Sequence, residues 1–186
     1  MGSSVTSTDF SAPTGNATLT AKSTQVRIAP SLIVTTGGDF ALYGKGGLVL
    51  PVTGSTVAEY RDDTNPLASV EQDFESKGAT SLGFQGAIGV NYNLSDNLSL
   101  FGELGAVNLR IKSGTRTMTR NMVGGVDVLS AMDTYDKETV YVDELNPSSN
   151  NSSYNSNASD SQAKEELAGT TNFNAMVISV GVKYNF

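Results

Sequence analysis

The chain has 186 residues, with nineteen Asp and Glu against twelve Lys and Arg for a formal charge of −7, nineteen glycines, and no His, Cys or Trp. Without thiol or imidazole there is no disulfide, no zinc site of the usual N/S kind and no catalytic dyad or triad built on histidine. An acidic chain also lacks the basic surface that nucleic acid demands, so nucleic acid is not an expected partner.

Met1-Gly2-Ser3-Ser4 shows neither the basic n-region nor the apolar h-region of a signal peptide, so either the chain is cytosolic or this is not its natural N-terminus. No stretch approaches the ~20 apolar residues of a membrane-spanning helix; the run Leu48 to Val52 is interrupted by Pro51. Transmembrane β-strands need only ~10 residues each and hide their hydrophobicity by alternation.

In chain order, residues 1–22 read as strand ends or disorder. Val26, Ile28, Leu32 and Val34 then alternate with Gln25, Arg27, Ala29 and Ser31. Pro30 lacks a ladder donor and marks an edge or a bulge there. A turn at Thr35–Asp39 precedes Phe40, Leu42, Leu48, Leu50 and Val52, which oppose Ala41, Tyr43 and Lys45. Residues 53–77 are polar and read as a long loop. Leu82, Phe84, Ile88, Val90, Tyr92 and Leu94 form the next apolar face, and Ser95-Asp96-Asn97 the next turn. In the following strand Leu100 and Leu104 keep the pattern, Phe101 falls on the polar parity, and after Ala106 the apolar residues switch to Val107, Leu109 and Ile111. A bulge or an emergence from an apolar layer near Ala106–Asn108 explains such a switch. Residues 113–169 read as a second, longer loop whose centre, residues 146–153, is low-complexity and not expected to pack. The last strand alternates Met176, Ile178, Val180, Val182, Tyr184 and Phe186 with small or polar residues.

Parity defines two faces. Val26, Ile28, Leu32, Leu42, Leu48, Leu50, Phe84, Ile88, Val90, Leu100, Leu104, Ile178, Val180 and Val182 share one, assigned to lipid. Gln25, Arg27, Ser31, Tyr43, Lys45, Gln85, Asn91, Ser99, Glu103, Ser179 and Lys183 share the other, assigned to a barrel interior. A soluble sandwich or lipocalin would invert that assignment, and parity alone does not distinguish the two. Phe40, Tyr92, Tyr184 and Phe186 fall at or beside short-turn ends, where an interfacial girdle belongs. Charges inside a narrow barrel need partners, so Glu103 is expected to pair with Arg27, Lys45 or Lys183, in a lumen network with Gln85 and Tyr43.

Val180-Gly181-Val182-Lys183-Tyr184-Asn185-Phe186 resembles the C-terminal assembly signal of bacterial outer-membrane β-barrels, carried here by Val180, Val182, Tyr184 and Phe186. The stretch from Phe84 to Glu103 is similar to the strand–turn–strand of the small eight-stranded members. The resemblance covers about Gln25–Leu50, Leu82–Ile111 and the last strand. It implies an all-β antiparallel meander closed into a transmembrane barrel in the outer membrane, with lipid and lipopolysaccharide around it and the barrel-assembly machinery engaging the last strand. It also implies a signal peptide on the natural precursor. Counting strand directions back from a periplasmic Phe186 places the residues before Gln25 outside the cell, which suggests that two or three strands precede Met1, with five to six present here.

Residues that could carry sharper chemistry do not assemble into it. Asp62-Asp63 and Glu165-Glu166 are adjacent pairs, which point to opposite faces of a strand. Gly44-Lys45-Gly46-Gly47 lacks the spacing and the Ser or Thr of a P-loop. Asp133, Asp136, Glu138, Asp143 and Glu144 lack EF-hand spacing, and Asn16-Ala17-Thr18 and Asn157-Ala158-Ser159 match glycosylation acceptors that carry no meaning in a bacterium. The expectation is a protein that is not an enzyme, has no cofactor or metal, and serves a structural or adhesin-like role with an extracellular ligand held by its acidic and Ser/Asn-rich loops. A narrow porin-like channel is the first alternative and a soluble lipocalin-type binding module the second.

Overall fold

The computed structural model describes residues 2–12, 15–65, 67–79 and 81–184, with side chains from Ala17 onward. It is all-β and mostly antiparallel. The strands are β1 Gly2–Ala12, β2 Gly15–Ile28, β3 Ser31–Thr35, β4 Phe40–Asp62, β5 Val70–Gly78, β6 Gly83–Ser95, β7 Leu98–Val123, β8 Val126–Asp127, β9 Glu138–Val142, β10 Lys164–Leu167 and β11 Thr170–Tyr184. The helical content among the described residues is one turn, α1 Thr134–Lys137, and a 3-10 turn at Leu129–Ala131.

Two compact units divide the chain. One comprises Arg27–Val52, Thr80–Ile111 and Thr171–Phe186, the other Met1–Val26, Thr53–Ala79 and Lys112–Thr170.

The first of these, the meander unit, holds the strands whose alternation was legible. Its order is β3, β4, β6, β7, β11. Phe40 pairs with Tyr92 and Val49 with Gly83 at the two ends of the antiparallel β4/β6 ladder. A two-residue turn, Asp96-Asn97, joins β6 to β7, as short polar residues that bond their own backbone favour. The break anticipated at Pro30 is present: β2 stops at Ile28, β3 starts at Ser31, and the Pro30 carbonyl accepts from the Leu48 amide at 3.1 Å.

The change of parity on β7 has a different cause from a bulge. Register with β6 is unbroken from Gly83 opposite Leu109 to Asn93 opposite Ser99. Val107 and Leu109 therefore stand on the face of Phe101 and Glu103. Leu109 is fully buried there, as is Val49, each paired with Gly83 on the strand between them.

The other, polar unit corrects the sequence reading most. Residues 53–77, read as a loop, are two paired strand segments running from Ser55 opposite Lys77 to Asp62 opposite Val70. The early part of 113–169 continues β7 and pairs with β5, with register shifts between Asp73 and Phe74 and between Lys77 and Gly78. Residues 2–12 and 15–25 form one antiparallel ladder. Among the described residues eleven strands result where five to six were counted. Both faces of these segments are polar, so no apolar alternation announced them. Backbone ladders and cross-strand pairs such as Arg61 Nη1 to Asp73 Oδ1 at 2.6 Å hold them instead.

Nor is the Ser/Asn run unpacked. Ser149, Asn150 and Asn151 are all buried. Asn150 donates from Nδ2 to the carbonyls of Ser159, Gln162 and Ala163 at 3.0–3.1 Å and accepts at Oδ1 from the Ser159 amide. Asn151 donates to the Glu165 carbonyl at 2.7 Å and accepts from the Ser153 amide. A buried amide satisfied this completely is stable where an unpaired one would be costly.

Candidate functional site

In the meander unit every second row of side chains is apolar and faces outward. Across β4, β6 and β7 the pairs run Phe40–Tyr92–Leu100, then Leu42–Val90–Gly102, Gly44–Ile88–Leu104 and, past Gly46–Gly86–Ala106, Leu48–Phe84–Asn108. Leu32 and Val34 extend this face on β3, and Met176, Ile178, Val180 and Val182 on β11. Of the fourteen residues assigned to the lipid face, all but Val26 and Val90 are exposed, from Leu50 at 39% to Leu32 at 84%. Fully burying one such side chain contributes roughly 1.5–3 kcal/mol, so an aqueous monomer leaves a large part of its available hydrophobic stabilisation unrealised. Contiguous exposed apolar area on this scale marks a surface meant for something other than water.

The opposite face is mixed and mostly less exposed: Val49, Ser99 and Leu109 are buried, Tyr43, Lys45, Gln85, Asn91 and Glu103 partly buried, and Ser31 and Lys183 exposed. Lys45 Nζ lies 2.7 and 2.9 Å from the two carboxylate oxygens of Glu103, and the Tyr43 hydroxyl donates to Glu103 Oε2 at 2.9 Å. Glu103 is on β7 and its partners on β4, so the cluster bridges across β6. Gly89, the β6 residue between Tyr43 and Glu103, is what permits it: a Cβ there would overlap the Tyr43 ring. A second ring-over-glycine contact accounts for Phe101 on the polar parity. A Cβ at Gly181 would come within 2.8 Å of the Phe101 ring, so the aromatic residue fills the space that β11 leaves open.

Of the six residues expected in one network, the structure brings three together and separates three. Tyr43, Lys45 and Glu103 form the cluster. Gln85 instead donates from Nε2 to Ser31 Oγ at 2.8 Å. Arg27 stacks its guanidinium over the Phe173 ring at 5.2 Å, with Nη1 buried and lacking a hydrogen-bond partner among the described residues. Lys183 is exposed and joins none of these contacts. Of the four assembly-signal residues, Val180, Val182 and Tyr184 are exposed on β11, and Phe186 lies outside the described residues. Sequence reasoning did not identify the buried Asn150; the signal that could have shown it is the concentration of Asn at 146, 150, 151 and 155, each able to bond nearby backbone.

The described residues contain no group of three or more acidic, His or Cys side chains placed to hold a metal. Among them, too, no helix is long and apolar enough to cross a membrane, a statement that does not bear on strands. No protein-family model, no curated protein and no solved structure matches the chain.

Proposed function

We propose that this is a β-barrel protein of a bacterial outer membrane, whose meander unit faces lipid and whose polar unit serves a structural or surface-binding role. The observation that carries the reading is the burial pattern: the face a water-soluble sandwich would bury is exposed, and most of the polar face, Ser31 and Lys183 apart, is partly buried. The dimensions support it. From Phe40 to Leu50 β4 advances ten residues, roughly 34 Å along an antiparallel strand, or about 26 Å across a bilayer at a tilt near 40°, against an apolar band of about 25 Å in such barrels. Phe40 and Tyr92 share the row at one end, where aromatic side chains suit a membrane interface. Lipid and lipopolysaccharide are then the surroundings, the assembly machinery engages β11, and the natural precursor carries a signal peptide.

Between structure and conduction, the Lys45–Glu103–Tyr43 cluster and the Phe101 and Tyr43 rings favour an interior filled by side chains over an open pore, in keeping with small barrels. The test is purification with and without detergent, followed by electrophoresis of boiled and unboiled samples. Detergent dependence with heat-shifted migration supports the reading. A monodisperse protein in plain buffer, with no heat shift, overturns it in favour of a soluble binding module. Step-like currents in planar bilayers would replace the filled interior by a channel.

A further inference from the structure

The outward face of the meander unit is not apolar throughout. Along β3, the Phe40–Val52 part of β4, β6, the Leu98–Ile111 part of β7 and β11, the even-numbered positions carry one charged side chain, Arg110, and three amides, Asn108, Asn172 and Asn174. All four lie on adjoining stretches of two strands. Phe101 stands against Gly181 and the Ser113 amide donates to the Gly169 carbonyl, so β7 and β11 run antiparallel with Asn108 opposite Asn174 and Arg110 opposite Asn172. The four side chains are exposed, and no hydrogen bond or ion pair with another described residue engages them.

Beside them is an open cleft of about 500 Å3, whose lining includes Phe84, Gly86, Ala106, Asn108, Asn174 and Met176. A Cβ at Gly86 would meet nothing closer than the Lys45 carbonyl at 3.7 Å. The fold therefore leaves the room above it empty, whereas the Tyr43 and Phe101 rings fill the space over Gly89 and Gly181. Along β7 the rows change in a fixed order: Gly86–Ala106–Met176 is apolar, Phe84–Asn108–Asn174 presents two amides, and Arg110 and Asn172 follow. Each step is two residues, about 7 Å of antiparallel strand. Hydrocarbon, ester carbonyls and phosphate succeed one another in the same order in a phosphorylated acyl lipid. An amide NH2 donates to a carbonyl, a guanidinium holds phosphate through a charge-assisted fork, and a thioether adapts to a flexible chain. Charge agrees locally. The whole chain carries −7, yet the meander unit has Arg27, Lys45, Arg110 and Lys183 against Asp39, Asp96 and Glu103. Asp39 and Asp96 lie at the far ends of the strands and Glu103 is bound to Lys45 on the other face, so no carboxylate of this unit competes for Arg110.

We infer that this corner of the meander is a specific site for one phosphate-bearing acyl lipid: an acyl chain occupies the cleft over Gly86 and Ala106, Asn108 and Asn174 donate to its ester carbonyls, and Arg110 binds its phosphate. The remaining apolar face contacts hydrocarbon without selecting a headgroup. This corner selects one by charge. The site deepens the membrane reading and rests on it for the supply of lipid.

Dioctanoyl phosphatidate, dioctanoylglycerol and inorganic phosphate separate the parts of the site, since the first two differ only in the phosphate. Each is titrated into the protein, in whichever preparation is monodisperse, while the carbon-13 methyl signal of Met176 is followed, identified by its loss in Met176→Leu. The expected result is a shift that saturates at one phosphatidate per chain, with affinity about tenfold above that for dioctanoylglycerol, as a hydrogen bond to a charged group provides, and no shift with phosphate over the same range. Arg110→Gln should abolish that preference. Gly86→Leu, which fills the cleft, should weaken phosphatidate binding several-fold, whereas Gly102→Leu adds the same bulk elsewhere on the face, where a Cβ would meet only Val90 Cγ1 at 3.9 Å, and should leave binding unchanged. A shift that rises without saturating, or saturates equally for phosphatidate and dioctanoylglycerol, overturns the site in favour of unselective lipid contact. Saturation by inorganic phosphate at the same concentrations overturns it too, as a free-anion site. Because detergent dependence and heat-shifted migration are scored separately, a protein that needs detergent yet shows no preference for phosphatidate fails this proposal alone.

Discussion

In the meander unit the residues left outside are Leu, Ile, Val and Phe, whereas in the polar unit the residues taken inside include Ser149, Asn150, Asn151, Asn121 and Thr139. The same backbone ladder serves both. The difference teaches that strand pairing alone does not say what a sheet is built to face. Where water cannot compete, covering polar groups and exposing apolar ones is the stable arrangement. Where water is present, a strand polar on both faces persists only if its buried amides are satisfied one by one, as Asn150 and Asn151 are.

The sharpest way to break this comparison is a charge at the middle of the apolar face. Ile88→Lys, exposed and central between the end rows, is expected to destabilise the protein in lipid by about 2–4 kcal/mol, the range for a midplane lysine on a barrel's lipid face. Thr119→Lys, exposed on the polar stretch of β7, should stay within about 0.5 kcal/mol, as ordinary surface substitutions do. Urea titrations of vesicle-folded protein, read by gel migration, measure both. Equal effects would erase the distinction between the units.

Next in size is Asn150→Ala. It strips the Ser159 amide and three carbonyls of their partner at a buried position, and about 2 kcal/mol of local stability is expected to go with it. Hydrogen exchange should speed at Ser159 and Glu165, whose amides bond to the Asn150 side chain and carbonyl, while meander amides stay protected. Unchanged exchange would mean that the loop is held by something else.

A smaller effect is expected at the Lys45–Glu103 pair. Glu103→Gln leaves the Lys45 ammonium without its counter-charge and is expected to cost about 1–2 kcal/mol, because the pair is partly rather than fully sequestered. Lys45→Met in the same chain should recover part of that loss, a coupling that a double-mutant cycle reads directly. Strictly additive effects would count against the cluster.

The smallest is a pH effect in the polar unit. Hydrogen bonds from the Thr64 side chain and amide, with a further one from the Tyr60 hydroxyl, hold the Asp62 carboxyl below its usual range. A folded pKa below the unfolded one stabilises the protein above the unfolded value, and that contribution fades as pH falls through the folded value. Asp62→Ala should therefore lower stability slightly at neutral pH and flatten its decline below about pH 4, the ordinary carboxylate value. Parallel denaturation curves for the variant and the parent throughout that window would contradict the assignment.

The alternation of Leu42, Leu48, Phe84, Ile88, Leu100 and Leu104 made the meander strands and their turns legible, since period two is a local property, whereas opposite charge left Glu103 three candidate partners, Arg27, Lys45 and Lys183. Phe101 looked anomalous because its explanation, Gly181, lies eighty residues away on β11. Strands at 53–62 and 112–123 were illegible because neither face is apolar, leaving only hydrogen bonds and ion pairs to define them. Composition marked residues 146–153 as unlikely to pack, yet it could not reveal that a loop curls its carbonyls around one asparagine.

The central claim is that even-numbered positions of the meander face lipid and odd-numbered ones do not. Spin labels placed singly at cysteines substituted for Leu42, Tyr43, Ala87, Ile88, Leu104 and Gly105 in lipid-reconstituted protein test it through collision with oxygen and with a water-soluble nickel complex. The account predicts high oxygen and low nickel accessibility at 42, 88 and 104, with low oxygen accessibility at 43, 87 and 105. Nickel accessibility peaking at the even positions would contradict it.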